Sequence, residues 1–586
     1  MKIQQRNCQQ ELVETLIQEG LDPVLARVIA ARPFPEKWGT EACLSPRLGH
    51  LDAPDSMQDM DKAVNRLIKA ISENEVIGIE TDHDCDGQTA HAVLYSALTE
   101  IFGVKPERIR SYIGHRLQEG YGLSEALKNR ILEDSPRPNL IITADNGSSD
   151  ETQISKLSAE GIDVIVTDHH QLPEEGPPKS AYAVLNPTRE DCDFPDDLIA
   201  GCMVAWLFMA KARSQLSILG HLKSDAPSLK NLLDFVAVGT VADCVSMARS
   251  ANNRAVVKFG LSLINQAKRP CWQALLPLLN RRKFRAEDLG FLVGPLLNSD
   301  GRLSDAFGSV NFLLSKDLKE AEPWARQLVL QNESRKKIQK RITEESLVIG
   351  AQQVSLGHKS LVIALKEGHA GVHGISASRI KDKFGRPTIL FSRKDHEPEY
   401  LFGSARSIDG VHIREALARA KSLAPESILK FGGHRGAAGL TIPLQSLSAF
   451  HRAFEMAVAE QVGEASLGPI LWTDGELPLS HFSLEFVDCL MKLDPYGREF
   501  ETAVFEGNFR IQSLKWLGQT EPVHLSLLVE LKNQKVLKGI WFNAEPWAKT
   551  LKAGDCVHGV FSLSDSEFQG ERQLQILMSH LTLQPL

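Results

Sequence analysis

The chain has 586 residues, 43% hydrophobic and 24% charged, with a formal net charge of −8. That length exceeds what one hydrophobic core supports, so three or four domains are expected. The negative balance excludes global attraction to nucleic acid, although a local basic groove suffices for binding, and no run of about 18 apolar residues marks a membrane span.

The N-terminus, "MKIQQRNCQQELVETL", lacks the apolar stretch of a signal peptide. The nine cysteines never form a C-x-x-C pair, which points to a reducing cytoplasm without disulfides or structural zinc. Four short apolar runs follow: "VIGIE" (76–80), "LIITA" (140–144), "DVIVT" (163–167) and "AYAVL" (181–185). They alternate with helix-like stretches at 89–103 and 150–161, as in a doubly wound parallel sheet. The first three runs lead into "DHDCDG", "DNG" and "DHH". Ligands of open α/β sheets bind outside the carboxyl ends of the strands, so these segments are expected to meet at one edge. Residues 200–320 read as mostly helical, and 322–352 as one long helix. A second α/β region starts at "KSLVIALKEG" (359–368), and short strands from about 505 suggest a small OB-like β-barrel. The expected domains are 1–320, 321–352, 353–465 and 466–586.

The polar strand ends carry the chemistry. Asp82, Asp84 and Asp86 alternate within "DHDCDG". Alone, this is either a solvated acidic turn or the start of a calcium loop, but Val93 stands where an EF-hand needs its glutamate. Asp145 follows the second run, Asp168-His169-His170 the third, and Asp243 lies in the apolar "FVAVGTVADCVSM". A buried acid needs a partner or a cation. Oxygen ligands with imidazole and no thiolate favour Mn²⁺ or Mg²⁺ over zinc. The surplus of acids suits two ions about 3.5–4 Å apart, an arrangement for in-line hydrolysis at phosphorus. No G-x-S-x-G elbow indicates a serine nucleophile.

With these motifs, the chain resembles the DHH phosphoesterase superfamily, and within it the RecJ family of single-strand-specific DNA exonucleases. "DHDCDG" (82–87), "HRLQEGYGL" (115–123), "ADNG" (144–147), "TDHH" (167–170), "LNP" (185–187), "GTVAD" (239–243) and "NSDGRLSDA" (298–306) carry the likeness in the first half. "HAGVHGISASRI" (369–380), "GSARSIDG" (403–410) and "FGGHRGAAGL" (431–440) resemble the DHH-associated domain. The resemblance implies one metal held by Asp82 or Asp84 with Asp145, and a second by Asp86, Asp145, His169 and Asp243. His170 would face the scissile phosphate, and Asp168 would orient the histidine pair. It also implies digestion of single-stranded DNA from the 5′ end in repair and recombination, by a cytoplasmic monomer with a single-strand-binding protein and a helicase as partners. Leu296 replaces a usual arginine, Asp300 a small residue, and Gly368 a tryptophan. The competing readings are a phosphodiesterase for short oligoribonucleotides or cyclic dinucleotides, and a non-catalytic single-strand-binding scaffold.

Substrate contacts are expected from Arg116, Tyr121 and Arg302, while Asn298 would polarise a phosphate or fix a loop. Ser378, Arg379, Ser404 and Arg406 are candidate phosphate clamps, because arginine binds phosphate through a planar fork. Gly432, Gly433 and His434 would let the backbone approach a phosphate. Glycine clusters more often mark turns, and single arginines a solvated face. Arg335, Lys336, Lys337, Lys340 and Arg341 are expected to be such a face of the long helix. Trp516, Trp541, Phe542 and Trp547 are candidates for base stacking.

Overall fold

Five short parallel strands build the first sheet: β1 (Ile77–Thr81), β2 (Ile109–Ile113), β3 (Leu140–Ala144), β4 (Asp163–Thr167) and β5 (Ala183–Leu185). Their order is β2-β1-β3-β4-β5. In this computed structural model, residues 1–35, 44–115, 119, 122–223, 225–303, 307–394, 397–518, 522–568 and 570–584 are described. Strands β1 and β3 are buried throughout, which explains their apolar residues on both parities. The edge strand β2, "IRSYI", was not among the four expected runs. Its Arg110 and Ser111 break the apolar run, as an incompletely covered edge permits.

Register places the chemistry. Thr81 pairs with Ala144, Ala144 with Thr167, and Thr167 with Leu185. The next residues, Asp82, Asp145, Asp168 and Asn186, therefore leave the sheet at one level. One face is covered by helices α1 (Cys85–Ser96) and α2 (Gly201–Ile218), and α3 (Leu233–Ala242) packs on both; most of their side chains are buried. The other carries Leu127, Ile131, Ile154 and Leu157 on two shorter helices. Each such side chain contributes about 1.5–3 kcal/mol by leaving water. The described residues between 200 and 320 are mostly helical, as expected, and include α4 (Gly294–Leu303).

The chain divides into two compact units: Gln5–Leu328 with Thr473–Leu586, and Met1–Gln4 with Val329–Trp472. The first includes the barrel, formed by Phe505–Leu517, His524–Glu530, Val536–Trp541, Cys556–Phe568 and Glu571–Leu583. It closes through a parallel pairing of Val536–Trp541 with Glu571–Leu583. Phe505, Phe509 and Phe561 fill it. Trp541 is buried as well, packed on Trp547 and His580, which removes it from the exposed stacking candidates. Phe542 is exposed.

In the second unit a mixed five-stranded sheet packs Phe391 against Phe450 and Phe454. The long helix runs Leu318–Ser355. Arg335 is not on its solvated face: it is 7% exposed and donates to Asn332 and Gln339. Among the described residues no helix is long and apolar enough to cross a membrane.

Candidate metal centre

Motif "DHDCDG" turns from β1 into α1. Asp84 is the helix N-cap; its Oδ1 accepts from the amides of Asp86 (2.9 Å) and Gly87 (3.2 Å). Gly87 is required by close approach, since a Cβ there would lie 2.3 Å from the Asp82 carbonyl oxygen. Asp86, in the first turn, accepts from the amides of Gly201 (2.7 Å) and Cys202 (3.1 Å) at the start of α2. That placement is favourable for an anion, because the first amides of a helix lack internal partners. The glycine of "GTVAD", Gly239, keeps α3 close: a Cβ there would sit 2.6 Å from Asp86 Oδ1.

Asp145 follows β3 in a left-handed conformation, φ 64°. Such a φ is uncommon outside glycine and tolerated best by Asn and Asp. The turn aims the carboxylate back over the strand ends. Asp145 Oδ1 lies 3.2 Å from His169 Nε2. Both atoms are buried, and neither has a hydrogen-bond partner among the described residues. His169 Nε2 is also 3.6 Å from Asp243 Oδ2 and 3.9 Å from Asp86 Oδ2. Three overlapping groups result, Asp82–Asp84–Asp145, Asp86–His169–Asp243 and Asp145–His169–His170, each with ligand atoms within 4.8 Å of one another.

The electrostatics agree with cation ligation. Burial, then mutual repulsion, pushes the carboxyls of Asp145 and Asp243 well above the usual range; burial raises Asp86 too. Burial also lowers His169, keeping its imidazole neutral and able to offer a lone pair. Orphaned ligand atoms, converging acids and a neutral imidazole fit a divalent cation of the Mn²⁺ or Mg²⁺ type.

Asp168 supports the pair of histidines. Its Oδ1 accepts from the amides of His169 (2.7 Å) and His170 (3.1 Å) and from His170 Nδ1 (2.8 Å). Its Oδ2 accepts from the amide of Ser148 (3.1 Å). Burial would raise Asp168, but the hydrogen bonds from His170 and Ser148 and the charges of His170 and His169 together outweigh it and hold the carboxyl below its ordinary value. Burial would lower His170, and Asp168 reverses this, raising the imidazole to about 9. Asn186, from "LNP", donates to Ser148 Oγ (2.9 Å) and the His170 carbonyl (2.8 Å).

Of the expected substrate contacts, Asn298 Oδ1 accepts from the amide of Cys85 (2.9 Å), so it fixes the "DHDCDG" loop. Arg116, Tyr121 and the side chain of Arg302 lie outside the described residues. In the second unit Arg406 donates to Ser404 Oγ (3.1 Å). Gly374 makes room for this guanidinium, because a Cβ there would be 2.3 Å from Arg406 Nη2. Ser378 and the exposed Arg379 lie on helix Ala370–Phe384. Gly432 and Gly433 end strand Lys430–Gly433, and His434 opens the hairpin turn that follows, its N donating to the Ala437 carbonyl (2.8 Å). Asp300 is buried and accepts from the amide of Ser309 (2.8 Å). Gly368 abuts His373 and Ser392, leaving no room for a tryptophan. Sequence reasoning passed over His83, whose Nδ1 lies 2.9 Å from Asp82 Oδ1, and the backbone amides that hold Asp86.

Three family models match: the DHH family N-terminal domain over residues 76–240, the DHHA1 domain over 357–460, and the RecJ OB domain over 473–580. The single-stranded-DNA-specific exonuclease RecJ of Dickeya dadantii is 35% identical over 579 residues, 97% of each chain. Its counterpart from Haemophilus influenzae is 34% identical over 570 residues, 95% of this chain and 96% of the relative. A crystal structure of Thermus thermophilus RecJ in complex with Mn²⁺ shares the fold, with a TM-score of 0.79 at 23% identity, over 100% of this chain and 79% of that one. Likeness of this extent, carried through all three matched domains, means that the chain belongs to the RecJ family.

Proposed function

We propose that this chain is a metal-dependent exonuclease that hydrolyses phosphodiester bonds of single-stranded DNA. The observation that carries this is the convergence of Asp82, Asp84, Asp86, Asp145, His169 and Asp243 at one sheet edge, in a chain of the RecJ family. Asp82, Asp84 and Asp145 would hold one ion, and Asp86, His169 and Asp243 the other, with Asp145 between them. Mn²⁺ or Mg²⁺ bound there would acidify a coordinated water, supplying hydroxide as the nucleophile, and would neutralise charge on the phosphate. His170, kept protonated by Asp168, adds positive charge at the rim of the site. Ser378, Arg379, Ser404, Arg406 and the Gly432–His434 segment are proposed as phosphate contacts, and Arg116, Tyr121 and Arg302 as strand contacts of the first unit. Digestion from the 5′ end, a role in repair and recombination, and cooperation with a helicase and a single-strand-binding protein belong to the same reading.

Product analysis of 5′- and 3′-labelled single strands, duplexes and RNA with Mn²⁺ tests it. Mononucleotides from single-stranded DNA, released by the wild type and not by Asp145→Asn, are expected. Binding without cleavage would make the protein a scaffold and overturn the reading, and preference for short RNA would change the substrate.

A further inference from the structure

Residues 281–303 form a continuous stretch that touches the barrel at one end and the catalytic loop at the other. Near its start, Arg282 pairs with Glu567 (3.3 Å) and Arg285 with Asp565 (3.2 Å), both on barrel strand Cys556–Phe568. At its end, Asn298 holds the amide of Cys85, and Gly301 abuts the His83 carbonyl. Between these anchors Leu289–Val293 winds as a π-helix, a wide turn frequent at functional sites. Gly290 and Gly294 lie against Val241 and Ala242, directly before Asp243. This close packing seats Leu289–Val293, and with it Phe291, against the end of α3 that leads into Asp243.

Phe291 is 80% exposed, more than any other large hydrophobic residue among those described, and makes no ring contact there. The approach to it is basic: Arg281, Arg282 and Lys283 are exposed. Lys283 forms no ion pair among the described residues, and the Arg282–Glu567 pair is solvent-screened, so a phosphate can displace the carboxylate at little cost. Arg281 likewise makes only an exposed pair, with Asp288 (3.2 Å). An aromatic platform preceded by exposed, exchangeable cations is what a single strand requires: rings for bases, charges for the backbone.

We propose that residues 281–291 are a guide for single-stranded DNA between barrel and metal centre, with Phe291 stacking a base and Arg282 and Lys283 holding phosphates. This rests on the exonuclease reading above. The test uses full-length Asp145→Asn protein, so that the strand survives, and measures its binding to labelled single strands by fluorescence anisotropy over a range of salt. Adding Phe291→Ala is expected to weaken binding about 5- to 150-fold, the worth of one base–aromatic stack. Phe291→Trp should restore it and Phe291→Leu should not. Arg282→Ser with Lys283→Ser should flatten the slope of log affinity against log salt by about 1.4. Wild-type-like binding by Phe291→Ala, or full rescue by leucine, overturns the proposal, as does a lowered melting temperature that explains the loss. If the parent itself ignores single strands, the exonuclease reading fails; if the parent binds and these variants bind equally, only the guide does.

Discussion

Gly201→Ala tests the architecture of the metal centre without removing a ligand. The added Cβ would lie 2.7 Å from Asp145 Cβ and Oδ1 and 2.9 Å from its Cα. Restoring ordinary contact takes a displacement of about 0.7 Å. Swinging the Asp145 carboxylate aside does not relieve the clash, because Cβ and Cα are involved. Moving Gly201 instead disturbs its amide, the 2.7 Å donor to Asp86 Oδ2. One acid or the other must shift, and a misplacement of about 1 Å costs up to about 100-fold in rate. We expect kcat on single-stranded DNA to fall about 10- to 100-fold, equivalent to about 1.4–2.7 kcal/mol, with a stability loss of about 1–3 kcal/mol from overpacking. The assay is steady-state turnover at saturating Mn²⁺, with thermal melting alongside and Gly49→Ala, which meets nothing within 4 Å, as control. A Gly201→Ala protein that turns over within twofold of wild type would refute the claim that this approach sets the geometry.

Asp168→Asn removes the charge that orients both histidines and should cost about 10- to 100-fold in activity or Mn²⁺ affinity. It should also let the His170 pKa fall from about 9, moving the alkaline limb of the rate profile to lower pH; an unmoved limb would count against the pairing. Chelation with EDTA should abolish turnover and lower the melting temperature, because Mn²⁺ at 100 times its Kd stabilises by about 2.7 kcal/mol; identical melting with and without metal would contradict the assigned ligands. His91, buried against Ser111 Oγ (2.8 Å), is held by burial at about 3 in the folded protein against 6.5 unfolded. The unfolded chain therefore binds more protons between these values, so stability falls as pH drops below 6.5, by about 1.4 kcal/mol per pH unit for this residue. Melting curves of wild type and His91→Gln from pH 7 to pH 4 should diverge accordingly, and parallel curves would remove His91 from the account.

Much of the site was legible because it follows β-strand grammar. Apolar runs ending in Asp82, Asp145 and Asp168 predict strands with acids at one edge, and flush register delivers them there. Asp243 was legible as an acid amid apolar residues. The unread parts depend on groups that carry no side-chain signal: the Gly201 and Cys202 amides that hold Asp86 exist only once α2 is docked. Strand β2 was lost because an edge tolerates Arg110 and Ser111. Arg335 was misplaced because it shares a buried helix face with Asn332 and Gln339, three and four residues away, and that face is polar, so the sequence reads it as solvated. Barrel strand Phe505–Leu517 carries a weak sequence signal over its second half, since its buried–exposed alternation breaks down beyond Ile511.

The left-handed backbone at Asp145 also limits how this enzyme could be retired in evolution. Most side chains pay about 1–2 kcal/mol to occupy that conformation, in addition to whatever catalysis they lose. Asparagine adopts it comparatively easily, fills the same volume and surrenders only the charge. A descendant that kept the scaffold and gave up hydrolysis would thus be steered toward asparagine or glycine after β3, so the residue at this one turn would separate working members from silenced ones.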